Sequence, residues 1–278
     1  MSHSNKWFVC PQEKPEADTR IFLFPYAGGG PSVFSKWSDK LPVNIEAQIT
    51  HYPGRGSSHN EKPIKSLSFL IEELSQAIQP LADKPFTFFG HSMGGLIAFE
   101  LARYLRHNEL PQPNALFISA FRAPQILDLQ PPIHELPDNE FIISLKKLNG
   151  IPQEVLQNQE MLDFFLPTLR ADFKLIETYK YTHDEPLNCP IVAFSGRDDP
   201  RVSREQLEGW AVQTNGRFES KYFEGDHFFI NDQREIIVDI IVEGIVSPRR
   251  HGDASRLVSI HRKEQMHGYS TTNPRNDS

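Results

Sequence analysis

Cysteine is scarce: Cys10 and Cys189 are the two in 278 residues, far apart and in no ligand-like spacing. That argues against a disulfide framework and a cysteine-built metal site, and makes a reducing cytoplasm the expected compartment. No apolar run approaches the roughly 20 residues of a membrane span, so no membrane role is expected. The opening residues, "MSHSNKWFVCPQEKPEADTR", contain no apolar signal core. Positive charge is in deficit. The formal charge is −7, which argues against a general nucleic-acid binder. There is no internal repeat, no G-x-G-x-x-G and no Walker lysine, so "AGGG" at 27–30 is a poor phosphate loop.

What is present is an alternation. Short apolar runs read as buried parallel strands: "RIFLFP" at 20–25, "IEAQITHY" at 45–52, "FTFFG" at 86–90, "ALFISA" at 115–120 and "IVAFSG" at 191–196. "FESKYF" at 218–223 alternates more and is expected nearer an edge. Between them Leu67, Leu70, Ile71, Leu74 and Ile78 recur at helical spacing, as do Leu96, Phe99, Ala102 and Leu105. "NDQREIIVDIIVEGIV" reads as a last helix. Strands alternating with helices predict an α/β fold, with a mostly parallel sheet covered on both faces.

About seventy residues between the fourth and fifth core strands lack a good strand, too many for a structureless loop. "DNEFIISLKKL" and "LRADFKLIETYKY" read as helices of a lid insertion spanning about 122–186. Its Phe141, Ile142, Leu145, Leu162, Phe164, Phe165 and Leu166 either pack a small core of their own or line a substrate channel; the two uses are compatible. One domain is therefore expected over 1–247. The segment 248–278 is polar and aperiodic and is expected to be disordered. From Ser247 on, the chain holds six Lys/Arg and three Asp/Glu, which leaves −10 on the rest.

The chemistry centres on "FTFFGHSMGGLIAFELARYL". A G-x-S-x-G match alone is weak and arises by chance in roughly a tenth of chains this long. Here a strand precedes it and a helix follows. A serine on so sharp a turn has its hydroxyl exposed at the sheet edge. Side chains two residues to either side would collide, and Gly90 and Gly94 occupy those places. Ser92 is thus the candidate nucleophile. It needs a base, and the base needs an orienting acid, in the chain order serine, acid, histidine.

Of eleven histidines, His227 fits: it lies in "EGDHFF", after the sixth strand and before the last helix. The acid should follow "IVAFSG", where Asp198 and Asp199 compete. The spacing from Gly196, with Pro200 fixing the turn, favours Asp199. Asp226 adjoins the histidine too closely in sequence to face it. The oxyanion of a tetrahedral intermediate needs two donors. The N–H of Met93, after the nucleophile, is one; the N–H of Ala27 in "FLFPYAGGG" is the other.

Taken together, "FPYAGGGPSVFSKW", "HYPGRG", "FGHSMGG", "SGRDDPRVS…GW" and "EGDHFFI" resemble the type II thioesterases, the discrete enzymes that accompany nonribosomal peptide and polyketide synthases. The resemblance spans about residues 6–246. It implies the α/β-hydrolase fold, with Ser92, Asp199 and His227 as triad and Ala27 and Met93 as oxyanion donors. The family usually has histidine where Tyr26 stands and glycine where Asp226 stands; both departures fall at the entrance. The family's activity is hydrolysis of stalled or wrongly loaded acyl groups from the phosphopantetheine arm of carrier proteins. No cofactor of its own is implied, the partner being an acyl or peptidyl carrier protein and the enzyme a monomer. Carriers are commonly acidic, so docking on this acidic body calls for a local basic patch, for which Lys146, Lys147, Arg170 and Lys174 are candidates. A medium-chain fatty acyl-carrier-protein thioesterase, a carboxylester hydrolase and a non-catalytic module on a hydrolase scaffold are the rival readings.

Overall fold

The structure is a computed structural model that describes residues 5–148 and 157–246. Its centre is a sheet of strands β1 (Phe8–Val9), β2 (Thr19–Phe24), β3 (Ile45–Thr50), β4 (Phe86–His91), β5 (Leu116–Ser119), β6 (Ile191–Gly196) and β7 (Phe218–Phe223). They lie in the order β1-β3-β2-β4-β5-β6-β7. Only β1 is antiparallel, pairing Phe8 with Thr50 and Val9 with Ile49 of β3. At two residues it is too short to leave a periodic signal in the sequence. The other six fall where the apolar runs predict them. β7 is the edge, and five of its six residues are only half-buried.

Both faces of the sheet are covered, which is why its strands read as continuous apolar runs rather than alternations. Successive side chains still go to opposite faces. Phe22, Phe24 and Phe88 join the cluster under helices α1 (Leu67–Ile78) and α2 (Met93–His107). Ile21, Leu23 and Phe89 join the cluster on the other face, with Trp37 and with Ile237, Val238 and Ile241 of the last helix, Arg234–Val246. The rings of Phe22 and Phe24 meet that of Phe88 edge-on, with centroids 5.8 and 5.2 Å apart. Edge-to-face contact is the favourable geometry for aromatic quadrupoles.

The segment between β5 and β6 carries two longer helices, α3 (Asp138–Lys147) and α4 (Gln159–Glu177). Phe141, Leu145, Leu162, Leu166, Leu169 and Phe173 form a separate core between them, and Ala27 packs against it. Phe164 is left outside, half exposed. The polar tail expected over 248–278 lies outside the described residues.

β2, β4, β6 and β7 all point their carboxyl ends the same way. The loops that follow them carry Ala27, Ser92, Asp199 and His227. In open α/β sheets this edge is where ligands bind.

Candidate active site

Strand β4 ends at His91 and helix α2 begins at Met93, so Ser92 alone makes the turn. Its φ is 53° and ψ −117°, a left-handed conformation costly for any residue with a side chain. The flanking glycines have a steric cause. A Cβ on Gly90 would lie 2.0 Å from the Gly94 carbonyl oxygen, and one on Gly94 would lie 1.9 Å from that of Phe24. No side chain fits at either place. The Ser92 N–H donates to the Ser119 carbonyl at 2.7 Å, which pins the turn to β5.

Ser92 Oγ lies 3.0 Å from His227 Nε2, and His227 Nδ1 lies 2.9 Å from Asp199 Oδ2. A carboxylate can only accept, so Nδ1 carries the proton and Nε2 is free to accept from the hydroxyl. The Asp199 side chain is fully buried, and its second oxygen accepts from the Arg201 N–H at 2.8 Å. Asp198 is exposed, and its N–H donates to the Gly225 carbonyl, tying the acid loop to the histidine loop. Asp226 accepts from the Phe228 N–H at 2.8 Å. The three residues singled out in the sequence are thus brought into one hydrogen-bonded chain, and the competing acids are not.

His91 is not part of this chain: its Nδ1 shares a hydrogen bond of 2.8 Å with Ser119 Oγ, and its ring centroid lies 5.4 Å from that of His227. Burial, and next the charge on His227, hold its imidazole well below the ordinary histidine range, so it is neutral. The cysteines offer no rival nucleophile. Burial pushes the Cys10 thiol up to about 11 and the Cys189 thiol to about 12.

Beside Ser92, the Gly28 N–H donates to Asp172 and the Gly29 N–H to the Tyr26 carbonyl. Those of Ala27 and Met93 donate to no acceptor among the described residues. Ser92 opens into a narrow pocket with a cavity volume of about 50 Å³. One wall is apolar and comes from the insertion: Leu145, Leu148, Leu169, Phe173 and Ile176. Of the insertion residues singled out in the sequence, Phe141, Leu145, Leu162 and Leu166 pack its own core and Leu145 alone also lines this pocket; Leu169 and Phe173, not singled out, belong to both. Tyr26 also lines the pocket, its ring edge-on to His91 and Phe228.

Two charged residues under the site had no role assigned from sequence. Arg55 and Asp172 form a bidentate pair, 2.8 and 2.7 Å, with side chains only 5% and 2% exposed. Signals existed. Arg55 sits between glycines in "HYPGRG", and Asp172 interrupts the apolar face of Leu169, Phe173 and Ile176.

The model of the family described as "Thioesterase domain" matches residues 19–244. The chain belongs to the thioesterase family. It is a serine hydrolase of thioesters on the α/β-hydrolase fold. This thioesterase is 43% identical over 241 residues to the gramicidin S biosynthesis protein GrsT of Aneurinibacillus migulanus, covering 87% of this chain and 94% of that one. It is 33% identical to thioesterase PikA5 of Streptomyces venezuelae, covering 90% and 89%. Among solved structures it is similar to the type II thioesterase BorB from the borrelidin biosynthetic cluster. That match has a TM-score of 0.80 and 32% identity, and covers 87% of this chain and 99% of that one.

Proposed function

We propose that this thioesterase is an editing, type II enzyme. It hydrolyses stalled or aberrant acyl groups from the phosphopantetheine arm of carrier proteins in nonribosomal peptide or polyketide synthesis. The observation that carries the chemistry is the hydrogen-bonded chain Ser92–His227–Asp199 at the mouth of the insertion-walled pocket. The pathway reading is supported by similar proteins named for gramicidin S biosynthesis and for the colibactin and yersiniabactin NRPS/PKS pathways.

In this reading His227 Nε2 takes the Ser92 proton as Oγ attacks the thioester carbonyl. The oxyanion forms against the N–H groups of Ala27 and Met93, the latter at the positive end of α2. Asp199 stabilises the imidazolium. Collapse expels the pantetheine thiol, which takes the proton from His227 and leaves the acyl group on Ser92. Water, deprotonated by His227, then releases the acid and restores the serine. The insertion acts as a lid. Its apolar wall faces the acyl group, and His227 lines the same pocket, where it meets the one water that deacylation consumes. No cofactor enters any step.

Carrier docking falls to cations of the lid. Lys146 and Lys147 are exposed at the end of α3, and Lys174, half-buried, lines a groove with Lys62 and Lys65. Arg170 is spent within the insertion: it donates to the carbonyls of His134 and Leu136 and lies 4.4 Å over the Phe141 ring.

The test is release of acyl groups from a loaded carrier. Ser92→Ala abolishes it; release at the wild-type rate by that variant overturns the triad. A kcat/KM higher for a simple aryl ester than for the acyl carrier makes the enzyme a carboxylester hydrolase instead. A profile peaking at medium-chain acyl groups makes it a fatty acyl thioesterase.

A further inference from the structure

Asp172 reaches down from α4 and grips the loop that carries Ala27. Its Oδ2 accepts from the Gly28 N–H at 2.7 Å and from Arg55 Nη1 at 2.8 Å, and its Oδ1 accepts from Arg55 Nη2 at 2.7 Å. Arg55 Nη1 also donates to the Gly29 carbonyl at 3.1 Å. The pair therefore holds two consecutive residues of one loop, one by its N–H and one by its C=O. One turn before Asp172, Thr168 donates to the Gly54 carbonyl at 2.7 Å, so α4 is fastened to the loop that carries Arg55 as well.

The consequence for Ala27 is geometric. Its N–H belongs to the same peptide unit as the Tyr26 carbonyl, and that unit is planar and trans. The Gly29 N–H donates to the Tyr26 oxygen at 2.9 Å. Wherever that bond holds the oxygen, the Ala27 N–H must point the opposite way. Asp172 and Arg55 hold Gly28 and Gly29, the two residues that make the bond possible. Stability is a poor reason for such a pair. Burying two charges carries a heavy desolvation cost, and apolar replacements of similar volume are often as stable or more so. Preorganising an oxyanion donor is a better reason, because donors work only when held in place before charge develops.

We propose that Arg55 and Asp172 are positioning residues for the oxyanion donor Ala27, so that the insertion helix sets the geometry of the hole as well as walling the pocket. The proposal rests on the triad reading above. Its prediction is differential: losing the pair weakens binding of the transition state and spares the ground state.

The experiment uses the full chain with Asp172→Asn, Arg55→Lys and the apolar double variant Arg55→Met/Asp172→Leu. Two ligands are compared. One is a trifluoromethyl ketone analogue of an acyl-pantetheine, which forms an oxyanion on a serine. The other is the corresponding non-hydrolysable amide. The expected result is a fall of about 10²-fold in kcat and in affinity for the ketone, with the amide's affinity changed by less than about threefold. The double variant keeps the wild-type melting temperature within a few degrees and still shows the split, so poor folding of a single variant does not decide the matter. Parallel loss of both ligands, or wild-type kcat in the folded double variant, overturns the proposal. A wild-type enzyme that neither cleaves thioesters nor binds the ketone sinks the triad reading itself. An active wild type with unchanged variants sinks only the positioning role.

Discussion

Asp198 and Asp199 are chemically identical neighbours, and the fold gives them opposite surroundings. Asp199 is sealed from solvent with one oxygen on His227 and the other on a backbone N–H. Asp198 faces water. An amide at 199 presents a donor where the imidazole needs an acceptor and turns the ring to the wrong tautomer. Asp199→Asn is expected to lower kcat by about 10³–10⁴-fold, and Asp198→Asn to leave it within about threefold. Steady-state hydrolysis of an acyl thioester by the two variants checks this; the reverse ranking reassigns the acid. The spacing from Gly196 pointed to the aspartate that the fold sets against His227, but its burial was not legible in the chain. Arg55 and Asp172 show the opposite case. Their types and positions were visible, but they stand 117 residues apart and only the fold makes them partners.

At the scale of elements, the unit β4–Ser92–α2 was readable almost whole because its constraints are local. A strand, a sharp turn and a helix each impose a pattern within about twenty residues, and the glycines answer to clashes within the turn and with the neighbouring strand. The strain at Ser92 gives a stability prediction. Both Ser92→Ala and Ser92→Gly are expected to be inactive, but only glycine adopts φ 53° without a Cβ clash. Ser92→Gly should therefore be the more stable of the two by about 1 kcal/mol, or roughly 2–4 °C in Tm. Thermal melts of the pair decide it, and equal Tm values mean the turn is not strained. The insertion was less legible. Helix α3 could be read from periodicity, but of α4 only the part from Leu169 on was legible; the helix begins ten residues earlier, at Gln159, and runs through Pro167. Which of their apolar residues face the pocket depends on how the two helices pack, and Phe164, expected inward, ends half exposed.

At the scale of the molecule, charge matters more than shape. The chain before Ser247 carries −10, so the field at long range repels an acidic carrier. Attraction has to be local, and Lys146 and Lys174 on the insertion are its proposed sources. The variant Lys146→Glu/Lys174→Glu is expected to raise KM for an acyl-loaded carrier by about fivefold and to leave hydrolysis of a small acyl thioester unchanged. Added salt should narrow the difference, because exposed charges are screened within about 10 Å at 0.1 M. An equal effect on both substrates would place these lysines in general stability and not in docking.

The sequence by itself determined the succession of strands and helices along the chain, the turn at Ser92, and the aspartate and histidine that are candidates for acid and base. Each follows from local sterics or from the chain order that a parallel sheet imposes. The antiparallel β1, the burial that separates Asp199 from Asp198, the double duty of the insertion's apolar residues and the Arg55–Asp172 pair were decided by tertiary structure. Each depends on contacts between segments far apart in the chain, and periodicity and spacing carry no information about which distant surfaces will meet.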